Sequence, residues 1–163
     1  MRSLTALILI LVHANGKMDR IALVGHQEST CATLLTGLDE QTRLLGGTLH
    51  LESRHPQPPP AGTAPRVSSW SGAPGFLNEL IRARGVETLV TGPDADVAHL
   101  ALQFSLKTRV RVVLVGCRDR QVQSLPIPGV ERIEVEAPEL DASFLDAGRK
   151  LGSLMLGRRS SVR

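Results

Sequence analysis

A chain of 163 residues and 17.6 kDa, 42% hydrophobic and 21% charged, has the composition of one globular domain with a core of ordinary size, which excludes a globally disordered chain and a multi-span membrane protein. Its net charge of +3 and pI near 9.4 fall short of the field of a dedicated nucleic-acid binder, and one Trp, no Tyr and three Phe supply few rings for stacking on bases. Cys31 and Cys117 stand without CxxC spacing or a run of His, so neither a disulfide framework nor a zinc site is indicated.

The apolar run Leu4–Val12 reads as a strand covered on both faces and central in a sheet. Behind Arg2 it also has the length of a secretory h-region, which stays open as an alternative, and it is too short to span a bilayer. A polar loop is expected next. Cys31, Leu34, Leu35, Leu38 and Leu45 then recur near helical spacing until Gly46-Gly47. Thr48–Ser53 reads as a second strand, and HPQPPPAGTAP as a long surface loop whose prolines exclude regular pairing.

Pro74 opens a helix with Phe76, Leu77, Leu80 and Ile81 on one face, and Gly85 ends it. Val86–Thr91 reads as a third strand. Asp94 caps a helix bearing Val97, Leu100, Ala101 and Phe104, and Val110–Val115 is the next strand. Arg132–Val135 reads as an edge strand, and Asp141 starts a last helix with Phe144, Leu145, Leu151 and Leu154.

Alternation of strands and helices predicts an α/β chain: a single domain over 1–163, doubly wound in three α/β/α layers, with a mostly parallel, Rossmann-like sheet of five or six strands. Ligands in such sheets sit beyond the carboxyl ends of the strands, which directs attention to 12–17, 53–70, 91–98 and 116–121.

The stretch VSSWSGAPGFLNELIRARGVETLVTGPDADVAHLALQFSLKTRVRVVLVG resembles the central half of the isochorismatase-like hydrolases. In that family a Lys precedes an S-x-F-x-G-T-x-L helix start, followed by G-V-x-x-L-V-x-x-G, a T-x-x-C helix start and a V-x-V-V strand. The likeness covers residues 64–116, and TALILILVHANGK and GTLHLESRHP are similar, less closely, to the family's first and second strands. Members include nicotinamidases, carbamoylsarcosine-type amidases and isochorismatases. Most use a Cys that attacks a carbonyl, an Asp that takes its proton and a Lys that supports the developing charge. The resemblance puts the Lys position at Ala64, the Cys position at Ala98 and the Asp position at Leu11 or Val12. None of these side chains accepts a proton, carries charge or attacks a carbonyl. The resemblance therefore implies a pseudoenzyme with no catalytic residue, no cofactor and no metal.

Substitutes are few. Arg66 supplies charge near the missing Lys but does not deprotonate. His13 and Cys117 fall at strand ends, yet the family's strand order separates them by an intervening strand, about 10 Å at about 4.8 Å per step, too far for direct proton transfer. Asp94 and Asp96 fit helix capping better than metal ligation, and His26, His50, His55 and His99 are scattered, with surface or packing roles as the default. No Gly-rich phosphate loop is present.

A scaffold without its chemistry points to a structural or accessory subunit of a larger protein assembly, with a mitochondrial complex as one setting and the cytoplasm as the other. The alternatives are a regulatory module that binds a small molecule and an unconventional amidase-type hydrolase. The C-terminal segment at about 149–163, with Arg149, Lys150, Arg158, Arg159 and Arg163 beside Leu154, Met155 and Leu156, is the candidate contact for protein partners or an acidic lipid surface. No specific nucleic acid is expected.

Overall fold

Two aliphatic runs folded back on each other set the sheet. In the computed structural model, which describes residues 4–57, 81–82, 85–92, 98, 101–102, 109–116, 130–135 and 141–157, strand β1 (Leu4–Val12) turns at residues 13–17 and returns as strand β2 (Met18–Gln27). The Gly16 amide donates to the His13 carbonyl at 2.9 Å, the His13 amide donates to the Lys17 carbonyl at 2.7 Å, and Gly16 takes a φ of 92° that a side chain would resist. The pairing runs from Val12↔Met18 to Leu4↔Gln27 and is antiparallel. The expected polar loop before the first helix is thus a strand for most of its length.

Helix α1 (Glu28–Leu44) follows β2 directly. Cys31, Leu34 and Leu38 recur every three or four residues and are buried against the sheet. The helix stops where Gly47 and Gly46 donate to the Thr42 and Arg43 carbonyls, with Gly46 at a φ of 88°, the paired bonds of a Schellman ending. Strand β3 (Thr48–Gln57) then pairs antiparallel with the other side of β1. It runs past Ser53 into the segment expected as an irregular proline loop, with Pro56 opposite Thr5. Pro lacks a donor, and a margin strand tolerates that.

Strands β4 (Thr88–Thr91), β5 (Arg111–Val115) and β6 (Glu131–Ile133) continue the sheet, each parallel to its neighbour. The order is β3-β1-β2-β4-β5-β6. Helix α2 (Asp141–Gly157) closes the described chain. The α/β content stands, but two of the five strand pairings are antiparallel, because a tight hairpin can only reverse the chain. β1 runs against the other five strands.

Both faces of the sheet are covered. Leu7, Leu9, Leu11, Ile21, Leu23, Val90 and Val113 pack with α1 and with Phe144, Ala147, Leu151 and Met155 of α2. Ala6, Ile8, Ala22, Val24, Leu89 and Val112 pack on the other face with Ala98, Ala101 and Leu102, which have helical backbone. Each fully buried Leu or Ile contributes about 1.5–3 kcal/mol, so this double-sided burial is the main source of stability. The remainder of the two helices expected around 74–85 and 94–104 lies outside the described residues.

Candidate functional site

The reversed β1 separates positions that the sequence reading placed together. Leu11 is buried in the helix-covered face and Val12 is partly buried, at the end of the sheet where β1 stops. Ala98 is buried on the other face, beyond the carboxyl end of β4. Val12 lies opposite Met18, whereas Thr91, the last residue of β4, lies opposite Val24, which is level with about Ala6 on β1. Six residues of strand amount to about 20 Å. Leu11 or Val12 therefore does not converge with Ala98. Ala64 and Arg66 lie outside the described residues.

The same reversal acts on His13. It sits at the opposite end of the sheet from the carboxyl end of β5, and β2 and β4 intervene between β1 and β5. Cys117 itself lies outside the described residues, as do Asp94, Asp96 and His99. His13 is buried, and its Nε2 lies 2.6 Å from Oδ2 of Asp19 across the hairpin. That pair locks the turn, joined by the Lys17 amide donating to Asn15 Oδ1 at 2.9 Å. His50 is exposed on β3, 3.1 Å from the Thr48 hydroxyl. Cys31 is a buried thiol in the core.

The carboxyl ends of β2 and β4 carry the arrangement that the sequence reading passed over. These strands are adjacent and parallel, but their connections part: α1 leaves β2 for one face, and the residues after β4 reach the other face at Ala98. In open α/β sheets ligands bind where the connections of adjacent strands part in this way. His26 stands in this seam, reaching from β2 to the Val90 carbonyl on β4 at 3.3 Å. A carbonyl only accepts, so Nε2 carries the proton and Nδ1 is a bare acceptor.

His26 has no exposed surface, and burial pushes its imidazole down to about 4 from 6.5, against a smaller upward pull from the Val90 carbonyl. The ring is therefore neutral near pH 7. His26 Nδ1 and the hydroxyl of Thr91, also fully buried, are the side-chain polar atoms among the described residues that are shut from solvent without a hydrogen-bond partner. Native interiors rarely leave such atoms unmatched. Gly92 follows at a φ of 112°, and a side chain there would run into the Val115 carbonyl of β5, so the exit from β4 is pinned.

The candidate contact at the C-terminal segment divides. Met155 is buried, and Leu154 and Leu156 pack partly against the core, so the apolar half of the segment serves the fold. Arg149 and Lys150 stay exposed, paired with Glu40 at 3.0 Å and Asp146 at 3.3 Å. Arg158, Arg159 and Arg163 lie outside the described residues. No group of three or more His, Cys, Asp or Glu is gathered among the described residues, and no helix among them is long and apolar enough to cross a membrane. The chain matches no family model, and no curated protein and no solved structure matches it.

Proposed function

We propose that this chain is a non-catalytic α/β subunit of a larger protein assembly, docked through the margin formed by β3. The carrying observation is where its apolar surface lies. Leu44 is 77% exposed, Met18 61%, Leu51 47% and Leu45 41%, and these are the large hydrophobic side chains left exposed among the described residues. Leu44 and Leu45 lead into β3, Leu51 lies on it, and Met18 is two strands in, level with Thr48. Isolated exposed leucines need no explanation, but Leu44, Leu45 and Leu51, on and beside an outermost strand, mark a margin open to a partner. Arg149 and Lys150 are the second candidate contact.

On this reading the chain is an α/β scaffold without the reacting groups that the isochorismatase-like resemblance assigns. The methyl at Ala98 supports it, whereas Leu11 and Val12, at the other margin of the sheet, do not share a site with Ala98. An amidase-type mechanism draws no support from the described residues: Cys31 is in the core, and the His13–Asp19 pair has no nucleophile among its bonded partners. A mitochondrial complex is the setting we favour over the cytoplasm.

The test is gentle isolation of the tagged chain from its source cells. We expect a particle well above 17.6 kDa, and release of the chain from it when Leu44 and Leu51 are both replaced by Lys, with circular dichroism and melting unchanged. Migration of the unaltered chain alone at its own mass overturns the proposal. The regulatory alternative is favoured by a separate observation, the unmatched atoms of His26 and Thr91.

A further inference from the structure

β3 is guarded along only part of its length. It is the outermost strand, with no strand beyond it among the described residues, and such an edge offers backbone N–H and C=O groups to any strand that reaches it. From Glu52 onward it carries two protections. The register against β1 slips at Glu52, between the pairs Leu9↔Leu51 and Ile8↔Ser53, and Pro56 lacks a donor. The stretch from Thr48 to Leu51 has neither, and Thr48, His50, Leu51 and Glu52 are all exposed.

This stretch is self-complementary. Thr48-Leu49-His50-Leu51-Glu52 reads polar, Leu, His, Leu, polar in both directions about His50. Leu49 and Leu51 lie opposite Leu11 and Leu9 of β1, on the face that α1 covers, yet Leu49 is only partly buried and Leu51 stays 47% exposed. Thr48 and His50 lie opposite Val12 and Ile10 on the other face, with the His50 Nε2 3.1 Å from the Thr48 hydroxyl. Glu52 also serves that face, its carboxylate 3.5 Å from Arg20, which stands opposite Ile10. Directly opposite residues of an antiparallel pair share a face. A two-fold axis through His50 therefore sets Leu49 against Leu51 of a second copy, twice, and Thr48 against its Glu52, twice. An axis through Leu49 would set Leu51 against Gly47, and one through Leu51 would set Leu49 against Ser53 across the slip, so His50 is the register that covers every leucine.

We propose that a second copy of this chain pairs antiparallel with the first half of β3, about a two-fold axis at His50, so that the two six-stranded sheets join edge to edge. This names the partner at the β3 margin and rests on the reading of that margin as a contact surface. The contact is short, below the roughly 1,200 Å² that stable complexes bury, so the dimer is weak and forms with a Kd of roughly 1–100 µM.

The experiment is sedimentation equilibrium of the purified full chain from roughly 1 µM to 1 mM. The mass should rise from 17.6 kDa toward twice that value. Each substitution acts twice across the axis. Leu51→Lys should weaken the dimer roughly tenfold or more, and Thr48→Lys, which faces Glu52 of the second copy, should tighten it roughly threefold. A cross-linking test fixes the register independently. In a Cys117→Ser background, His50→Cys places two thiols on the axis, where Cα atoms about 4.5–5.5 Å apart suit a disulfide, and mild oxidation should give a covalent dimer. Leu51→Cys should cross-link roughly tenfold more slowly, because its Cα lies more than about 7 Å from its own copy across the axis. Buried Cys31 does not compete. Equal cross-linking by both variants overturns the pairing, as does a chain that stays monomeric throughout. If that monomeric chain still enters a particle in its source cells and leaves it when Leu44 and Leu51 are both Lys, the margin reading stands and a different protein occupies it. If it also runs alone there, both readings fall.

Discussion

Gly148 of α2 lies so close to Gly37 of α1 that a β-carbon on Gly148 would fall 3.1 Å from the Gly37 Cα and run into the Leu34 carbonyl and the Leu38 amide. Two effects of Gly148→Ala oppose each other. Ala gains up to about 1 kcal/mol of helix propensity over Gly. The obstructing atoms are backbone and cannot rotate away, so the helices must separate, at about 1–3 kcal/mol or more. The clash should win, with a net loss of about 1–2 kcal/mol. Gly37→Ala should act alike, since its β-carbon would meet the Leu145 carbonyl and the Arg149 amide, and the double variant should lose less than the two single losses added. Denaturant midpoints measure this, and a raised midpoint for Gly148→Ala would refute the close crossing.

His26 makes stability depend on pH in a direction fixed by its burial. The folded ring takes a proton only near pH 4, whereas the unfolded ring takes one near 6.5. Between those values the unfolded chain holds more protons, so its contribution is fully present above about 6.5 and is lost as pH falls toward 4. The total is on the order of 3 kcal/mol. The measurement is the difference in unfolding free energy between the wild type and His26→Gln across pH 4 to 7. The wild type should lose stability more steeply on acidification, and parallel curves would show that the ring is not buried neutral.

Asp19 should matter to folding although it sits in a solvent-facing hairpin. Its carboxylate faces the Nε2 of buried His13 at 2.6 Å, and Asp19→Ala leaves that ring without its partner. A loss of about 1–3 kcal/mol is expected. A double-mutant cycle with His13→Gln should show coupling of about 1 kcal/mol or more. A coupling near zero would mean that the hairpin is held by its backbone bonds alone.

Part of the architecture is legible in the sequence. The spacing of Cys31, Leu34 and Leu38, followed by Gly46-Gly47, marks α1 and its ending. Asp141 with Phe144 and Leu151 marks α2, and the apolar runs at Val86–Thr91 and Val110–Val115 contain β4 and β5. β2 does not read as a strand, because only Ile21–Val24 of its ten residues form an apolar run, between Met-Asp-Arg and Gly-His-Gln. A local signal for it was present: Asn15-Gly16 between apolar runs is a strong hairpin signature. Without it β1 reads as parallel, and its end is assigned to the wrong margin of the sheet.

The candidate site was less legible still. His26 looks in the sequence like one of several scattered histidines. Its distinction comes from Val90, 64 positions away, whose carbonyl holds the ring in the seam, and from the burial that leaves Nδ1 unmatched. Likewise, Leu44, Leu45 and Leu51 fall at an edge of the sheet only because β3 crosses to the far side of β1.

The sequence alone determined which residues seek a core and where α1 and α2 lie, because burial periodicity and helix ending are properties of neighbours along the chain. Only the tertiary structure decided the direction of β1, the margin at which each strand ends and the meeting of His26 with β4. Those depend on hydrogen-bond pairing between distant segments, which no short run of residues encodes.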